Sequence, residues 1–216
     1  MKLYSYIVKE DGGFAPNPFF GYCTLACCKP GIRKHAKKGD WIVGLTPRAK
    51  GTGNKIVYFM EVEESLSFDD YYRDPRFRQK RPKAGAGLAR KCGDNIYKPL
   101  NGDYQQLPSA HSKPRFSSGQ DAAMKHKDVY RGERVLVSRK FVYFGCESFG
   151  SNSIALPPEL ERLKVGIGHR CHFSEEVKTA FRKFVNKQRK WGVIAGPHDW
   201  HKDDGSWKGS GCGGKT

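Results

Sequence analysis

Leu3, Ser5 and Ile7 alternate with Tyr4, Tyr6 and Val8, and this two-residue period predicts a first strand over Lys2 to Val8. Asp11-Gly12-Gly13 breaks it. Pro16 and Pro18 then disrupt helix and sheet alike, so Phe14 to Tyr22 reads as an aromatic loop. Cys23 to Lys29 fits a short helical turn stopped by Pro30. Trp41 to Leu45 and the β-branched, aromatic run Ile56 to Val62 read as two strands of a hairpin. Its long tip is basic and includes Arg48, Lys50 and Lys55. Ser67, with Asp70 three residues on, caps a short helix.

The period fails from Asp74 to Asp128, where Gly, Pro, Ser and Lys dominate; so long a loop in a compact domain is usually functional or mobile. Val135 to Val137 and Phe141 to Phe144 read as two strands joined by a tight link. Pro157 and Pro158 open a short helix through Leu163. The strongest helix follows Ser174, with Glu175 and Glu176 in its first turn and Lys187, Arg189 and Lys190 at its end. Val177, Phe181, Phe184 and Val185 form its apolar stripe, and Lys178, Arg182, Lys183 and Lys187 its basic face. These elements predict an α+β fold: a small curved antiparallel sheet or partial barrel of the PUA or ASCH kind, with long loops and a C-terminal amphipathic helix. One domain is expected over 1–192, followed by a polar, Gly-rich tail over 193–216 that is frayed from His198 onward.

The 216 residues carry 39 Lys and Arg against 22 Asp and Glu, a formal charge of +17. A fold does not require that excess, and it points to a polyanionic partner, DNA or a nucleotide. No run of eighteen apolar residues suggests a membrane helix. No apolar signal segment is visible either, so the cytoplasm is the expected compartment. Seven Cys without an export signal predict reduced thiols.

Chemistry has four candidate seats. Asn17 has the donors and acceptor to read a base edge, and Phe19 and Tyr22 have faces for stacking. Cys92, beside Gly93 and the cations Arg90 and Lys91, has the setting of a nucleophile with a lowered pKa. Asp94 is then a general base or a base-edge acceptor, His111 a further catalytic candidate and Asn95 a base-edge contact. The alternative is a plain tight turn, since Gly93, Asp94 and Asn95 are turn residues anyway. His169 and Arg170, after Gly166 and Gly168 and before the basic helix, are placed to meet phosphate, as are Lys178, Arg182 and Lys183. The cysteines Cys23, Cys27, Cys28, Cys92 and Cys171 lack the two close pairs of a structural zinc site, so no metal is assigned. No motif names a cofactor.

The runs Phe14-Ala15-Pro16-Asn17-Pro18-Phe19, Tyr22 to Pro30, Gly39 to Gly44, Cys92-Gly93-Asp94-Asn95-Ile96-Tyr97, Leu107-Pro108-Ser109 with His111-Ser112, and Gly168-His169-Arg170-Cys171 resemble the second of the nucleotide modification associated domain families. The resemblance spans Met1 to about Trp191. It implies a role in systems that hypermodify bases in bacterial and phage DNA, with other base-modification enzymes as candidate partners. It brings no catalytic residue set and leaves the reaction open. Two readings follow: a component acting on or binding a nucleobase through its Cys-, Asp-, Asn- and His-bearing loops, or a non-catalytic reader of modified or flipped bases.

Overall fold

A computed structural model describes residues 1–47, 54–112, 115–149, 156–163, 166 and 168–199. The central element is a six-stranded sheet. In chain order its strands are β1 (Leu3–Ile7), β3 (Trp41–Leu45), β4 (Ile56–Glu61), β9 (Phe141–Tyr143), β10 (His169–Arg170) and β11 (Gly192–Val193), and in space they run β10-β1-β3-β4-β9-β11. A second sheet has the order β2-β8-β5, from Cys23–Leu25, Val135–Ser138 and Glu64–Leu66. A hairpin of β6 (Tyr97–Leu100) and β7 (Asp103–Gln106) forms the third. None of the three closes on itself.

The main sheet is mixed, which corrects the antiparallel expectation: β1 runs parallel to β3 and β9 parallel to β11. A parallel pair needs a long crossover. Here the aromatic loop, β2 and α1 (Pro30–His35) supply it. Cys23 to Leu25 is a strand, and Pro30 opens a helix where it was expected to stop one, as its fixed φ suits a first turn. The pair β3–β4 is the predicted hairpin, with an irregularity at Gly44/Leu45. Its basic tip, with Arg48 and Lys50, lies outside the described residues. The two strands expected to pair across Ser138 to Lys140 belong to different sheets, because the Glu63 carboxylate accepts the Arg139 and Lys140 N–H groups and turns the link between sheets.

The segment expected to be one long loop is ordered in short pieces. Beyond α2 (Phe68–Arg73) it holds a 3-10 turn over Pro75–Lys80, α3 (Leu88–Lys91), the β6–β7 hairpin, α4 (Ala122–Lys125) and the start of a π turn over His126–Tyr130. Pieces this short leave little periodic signal. Ser67 caps α2 as predicted, its hydroxyl accepting from the Asp70 N–H at 3.0 Å.

Alternation along the strands sends side chains to two cores. Leu3, Trp41, Val43, Phe59 and Val142 pack against Val177, Phe181 and Val185 of α5 (Glu175–Asn186). Trp41 and Phe181 meet edge to face at 5.5 Å. Tyr4, Tyr6, Ile42, Tyr58 and Tyr143 face the other way, onto Cys23, Leu25, Leu136 and Ile32 of α1. A third cluster joins Phe14, Cys27, Phe68, Tyr71, Phe77, Ile96 and Tyr97.

Residues 193–199, at the start of the expected tail, fold back onto the sheet. Ala195 is buried, the Ile194 N–H donates to Tyr143 O at 2.8 Å, and the Asp11 carboxylate accepts from the His198 N–H at 2.9 Å and from the Tyr143 hydroxyl. Asp11 N–H in turn donates to the Asp199 carboxylate at 2.6 Å. Among the described residues, Cys23, Cys27, Cys28, Cys92 and Cys171 are free thiols. No helix among the described residues is long and apolar enough to cross a membrane.

Candidate functional site

Four of the predicted site residues come together, but in the interior. Asn17 is fully buried. Its Nδ2 donates to Gly13 O and Cys92 O, each at 3.0 Å, and its Oδ1 accepts from Lys80 Nζ at 2.6 Å. Lys80 is also fully buried and donates to Asn17 O at 3.0 Å and Tyr22 O at 2.9 Å, so all three ammonium protons have acceptors. Burial pushes its pKa down to about 8, and the nearby Asp94 partly offsets this. Asp94 accepts from the Thr24 hydroxyl at 2.6 Å and the Tyr71 hydroxyl at 2.7 Å, and burial raises its pKa. Asn95 Nδ2 donates to Tyr71 O and Phe77 O at 3.1 and 3.3 Å. These side chains are spent in holding segments together.

The Cys92 thiol donates to Leu88 O at 3.2 Å at the end of α3 and is buried. Burial drives its pKa well up, and the Lys80 charge lowers it by less. A lowered pKa was expected from neighbouring cations, but desolvation of the thiolate outweighs them. Gly93 has its own reason to be glycine, since a Cβ there would lie 2.2 Å from Lys80 O. His111 stacks on Phe14 at 4.4 Å, its N–H donating to the Ser109 hydroxyl. Phe19 is buried, and Tyr22 is half-buried against Phe77 with Arg76 and Arg139 over its ring.

The predicted phosphate contacts are spread out. His169 and Arg170 lie on the edge strand β10, and the Arg170 guanidinium sits 5.1 Å over Phe173. On α5, Lys178 and Arg182 both reach Glu175, at 2.7 and 3.9 Å, which neutralises part of that face; Lys183 is exposed.

The sequence reading missed a surface just beyond α5. Trp191 is 41% exposed, its inner edge against Phe59 at 6.1 Å. It lines a hollow of about 360 Å³ with Glu63, Arg139 and Lys140. The two residues before it, Arg189 and Lys190, join Lys187 in lining a cavity of about 410 Å³ floored by Ile56, Phe144 and Ile194. An apolar floor with a few charged groups at this size is the usual make-up of a ligand site. The signal was present as Arg189-Lys190-Trp191, but the cations had been assigned to the helix dipole and the aromatic to the domain's edge. Among the described residues no three His, Cys, Asp or Glu side chains gather as a metal set.

No curated protein and no solved structure matches the chain. The family model of nucleotide modification associated domain 2 matches residues 1–204, which takes in the Asn17, Cys92–Asn95 and Trp191 segments and reaches past the expected limit near Trp191. The chain belongs to this family, which is associated with nucleotide modification.

Proposed function

We propose that the protein is a non-catalytic nucleic-acid-binding component of a base-modification system, holding single-stranded or flipped-out bases on Trp191 and the flanking phosphates on Arg139, Arg189 and Lys190. The observation that carries this is an exposed tryptophan set among cations beside two cavities. An aromatic face with cations around it is the general recipe for gripping an unpaired nucleotide. The formal charge of +17 supports the same partner. A base reaching this surface needs no barrel of the PUA or ASCH kind to hold it.

The competing reading gives Cys92, Asp94 and His111 a chemical role. It requires the Asn17–Lys80 network to open, since Cys92 and Asp94 are buried and their polar atoms are engaged. Titrating a labelled single-stranded oligonucleotide against the protein and its Trp191→Ala variant by fluorescence anisotropy tests the proposal. Binding that weakens at least fivefold in the variant supports it, and unchanged binding overturns it. In a host where the gene is needed for a base modification, Cys92→Ala should leave that modification in place; its loss would favour the competing reading.

A further inference from the structure

A second cationic site lies on the opposite face of the main sheet, around Lys29. Trp191 packs on Phe59, which faces α5, whereas Lys29 sits over Tyr6, which faces α1. Lys29 Nζ lies 4.5 Å from the centre of the Tyr6 ring. Its backbone is left-handed, φ 43°, and so is that of Cys28, φ 59°. Two successive non-glycine residues in that region are costly and persist only where the surroundings fix them. Arg33 and Asp128 do so: the Cys28 N–H donates to Asp128 Oδ1 at 2.7 Å, and Arg33 Nε donates to Cys28 O at 2.7 Å. The strain therefore has one visible product, an ammonium held in a fixed, half-buried place.

The neighbours of Lys29 are also cationic. Burial lowers the Lys29 pKa most; the Cys28 thiol pulls the other way, and Lys127 and Lys9 lie close enough to lower it further, as Lys29 and His35 do for His169 after burial. The His169 ring rests on α1, where a Cβ at Gly31 would be 3.0 Å from its Cε1. Asp128, the acid next to Cys28, is taken up by Arg33, the Cys28 N–H and the Tyr97 hydroxyl. No side-chain hydrogen bond or ion pair to Lys9, Lys29, Lys127 or His169 exists among the described residues. Like charges gathered without a counter-charge are unfavourable unless an anion joins them.

We propose that Lys29, with Lys9, Lys127 and His169 around it, binds a phosphomonoester dianion, the terminal phosphate of a free nucleotide or of a DNA 5′ end. Three ammonium groups match a doubly charged, compact ligand, and neutral His169 adds a hydrogen-bond donor. The choice of a nucleotide phosphate rests on the proposed nucleic-acid role, while the site itself uses none of the Trp191 surface.

Calorimetric titration of the full chain with thymidine 5′-monophosphate, thymidine and inorganic phosphate tests this, alongside a short oligonucleotide with and without a 5′-phosphate. The monophosphate should bind about tenfold or more tighter than thymidine, in line with charge-assisted hydrogen bonding, and inorganic phosphate should compete. The preference should vanish in Lys29→Asn, which tolerates the left-handed backbone, and fall in Lys127→Gln at an exposed position. It should persist in Trp191→Ala, so a failure of the base-stacking surface and a failure of this site read out separately. Preference for the 5′-phosphorylated oligonucleotide identifies a DNA end as the source, and preference confined to the mononucleotide identifies a free nucleotide. Equal binding of thymidine and its monophosphate overturns the proposal, as does a phosphate preference that survives Lys29→Asn and Lys127→Gln or is lost only in Trp191→Ala.

Discussion

Lys80 grips Asn17 twice, its ammonium donating to the side-chain carbonyl at 2.6 Å and to the main-chain carbonyl at 3.0 Å, with both residues fully buried. The third proton goes to Tyr22 O. One side chain thus ties the 3-10 turn at Pro75–Lys80 to the middle of the aromatic loop and to its end. Lys80→Met removes the charge and takes a donor from Asn17 Oδ1, Tyr22 O and Asn17 O, the last of which keeps the Thr24 N–H at 2.9 Å. It should cost about 3 kcal/mol or more of stability. Urea unfolding measures this, and a loss below about 1 kcal/mol would mean that the network is dispensable.

The pH dependence of stability has two opposing parts. The pKa of Lys80 falls from 10.5 unfolded to about 8 folded, so the unfolded chain binds the extra proton between these values and stability rises with pH through that window. Cys23, Cys27 and Cys92 are raised above 9.0 by burial, so above that pH the folded state keeps protons that the unfolded state loses, and stability falls. The urea midpoint should therefore climb from pH 8 to about 9 and drop beyond. The climb should be missing in Lys80→Met.

Thiol labelling separates buried from accessible cysteines. Iodoacetamide at pH 8 should modify Cys28 and Cys171, which are half-buried, and spare Cys23, Cys27 and Cys92 until the protein unfolds. Rapid labelling of Cys92 in the native protein would return it to the list of nucleophiles.

Gly93 and Gly132 are among the glycines with no room for a methyl group. A Cβ at Gly93 meets Lys80 O at 2.2 Å, and one at Gly132 meets Arg33 Nη2 at 2.1 Å. Arg33 is fully buried and donates to Cys28 O, Arg134 O and Asp128 O, each at 2.7 Å, so it has little freedom to move. Gly93→Ala and Gly132→Ala should each lower stability by about 1–3 kcal/mol, readable as a fall in Tm. A neutral Gly132→Ala would mean that Arg33 has an alternative arrangement.

The two basic surfaces near α5 should differ in their salt response. Replacing Arg189 and Lys190 by Ala should flatten the dependence of single-strand affinity on salt by about 0.7 in log–log slope per lost phosphate contact. Replacing Lys178 should change it little, because Glu175 already holds that ammonium at 2.7 Å. The opposite ranking would move the interface onto the helix face.

How much of this was legible in the sequence depends on how local the cause was. The Trp41–Leu45 and Ile56–Glu61 pair and the stripe Val177, Phe181, Val185 are legible because burial repeats at a fixed period. The parallel pairing of Leu3 with Trp41 is not, since nothing near either residue specifies the direction of a partner so distant in the chain. The motifs around Asn17 and Cys92–Asn95 stand out in the sequence, yet residue type alone does not tell whether their polar atoms face a ligand or each other. Lys80 decided that, and it lay in a stretch that read as a plain basic loop. Trp191 went unnoticed because its exposure depends on where Phe59 and the β9–β11 pairing hold it.

The contact between Asp11 and residues 198–199 also bears on how the protein is made. These hydrogen bonds join groups 187 and 188 positions apart. A ribosome that has already produced Asp11 must add 187 more residues before the Asp11 carboxylate can collect its His198 partner. The central sheet cannot reach its six-strand order until β11 emerges, so the growing chain carries an unfinished strand edge until then. Slow elongation or a chaperone that shields the β9 edge should therefore raise the yield of native protein more than any change confined to the first 100 or so residues.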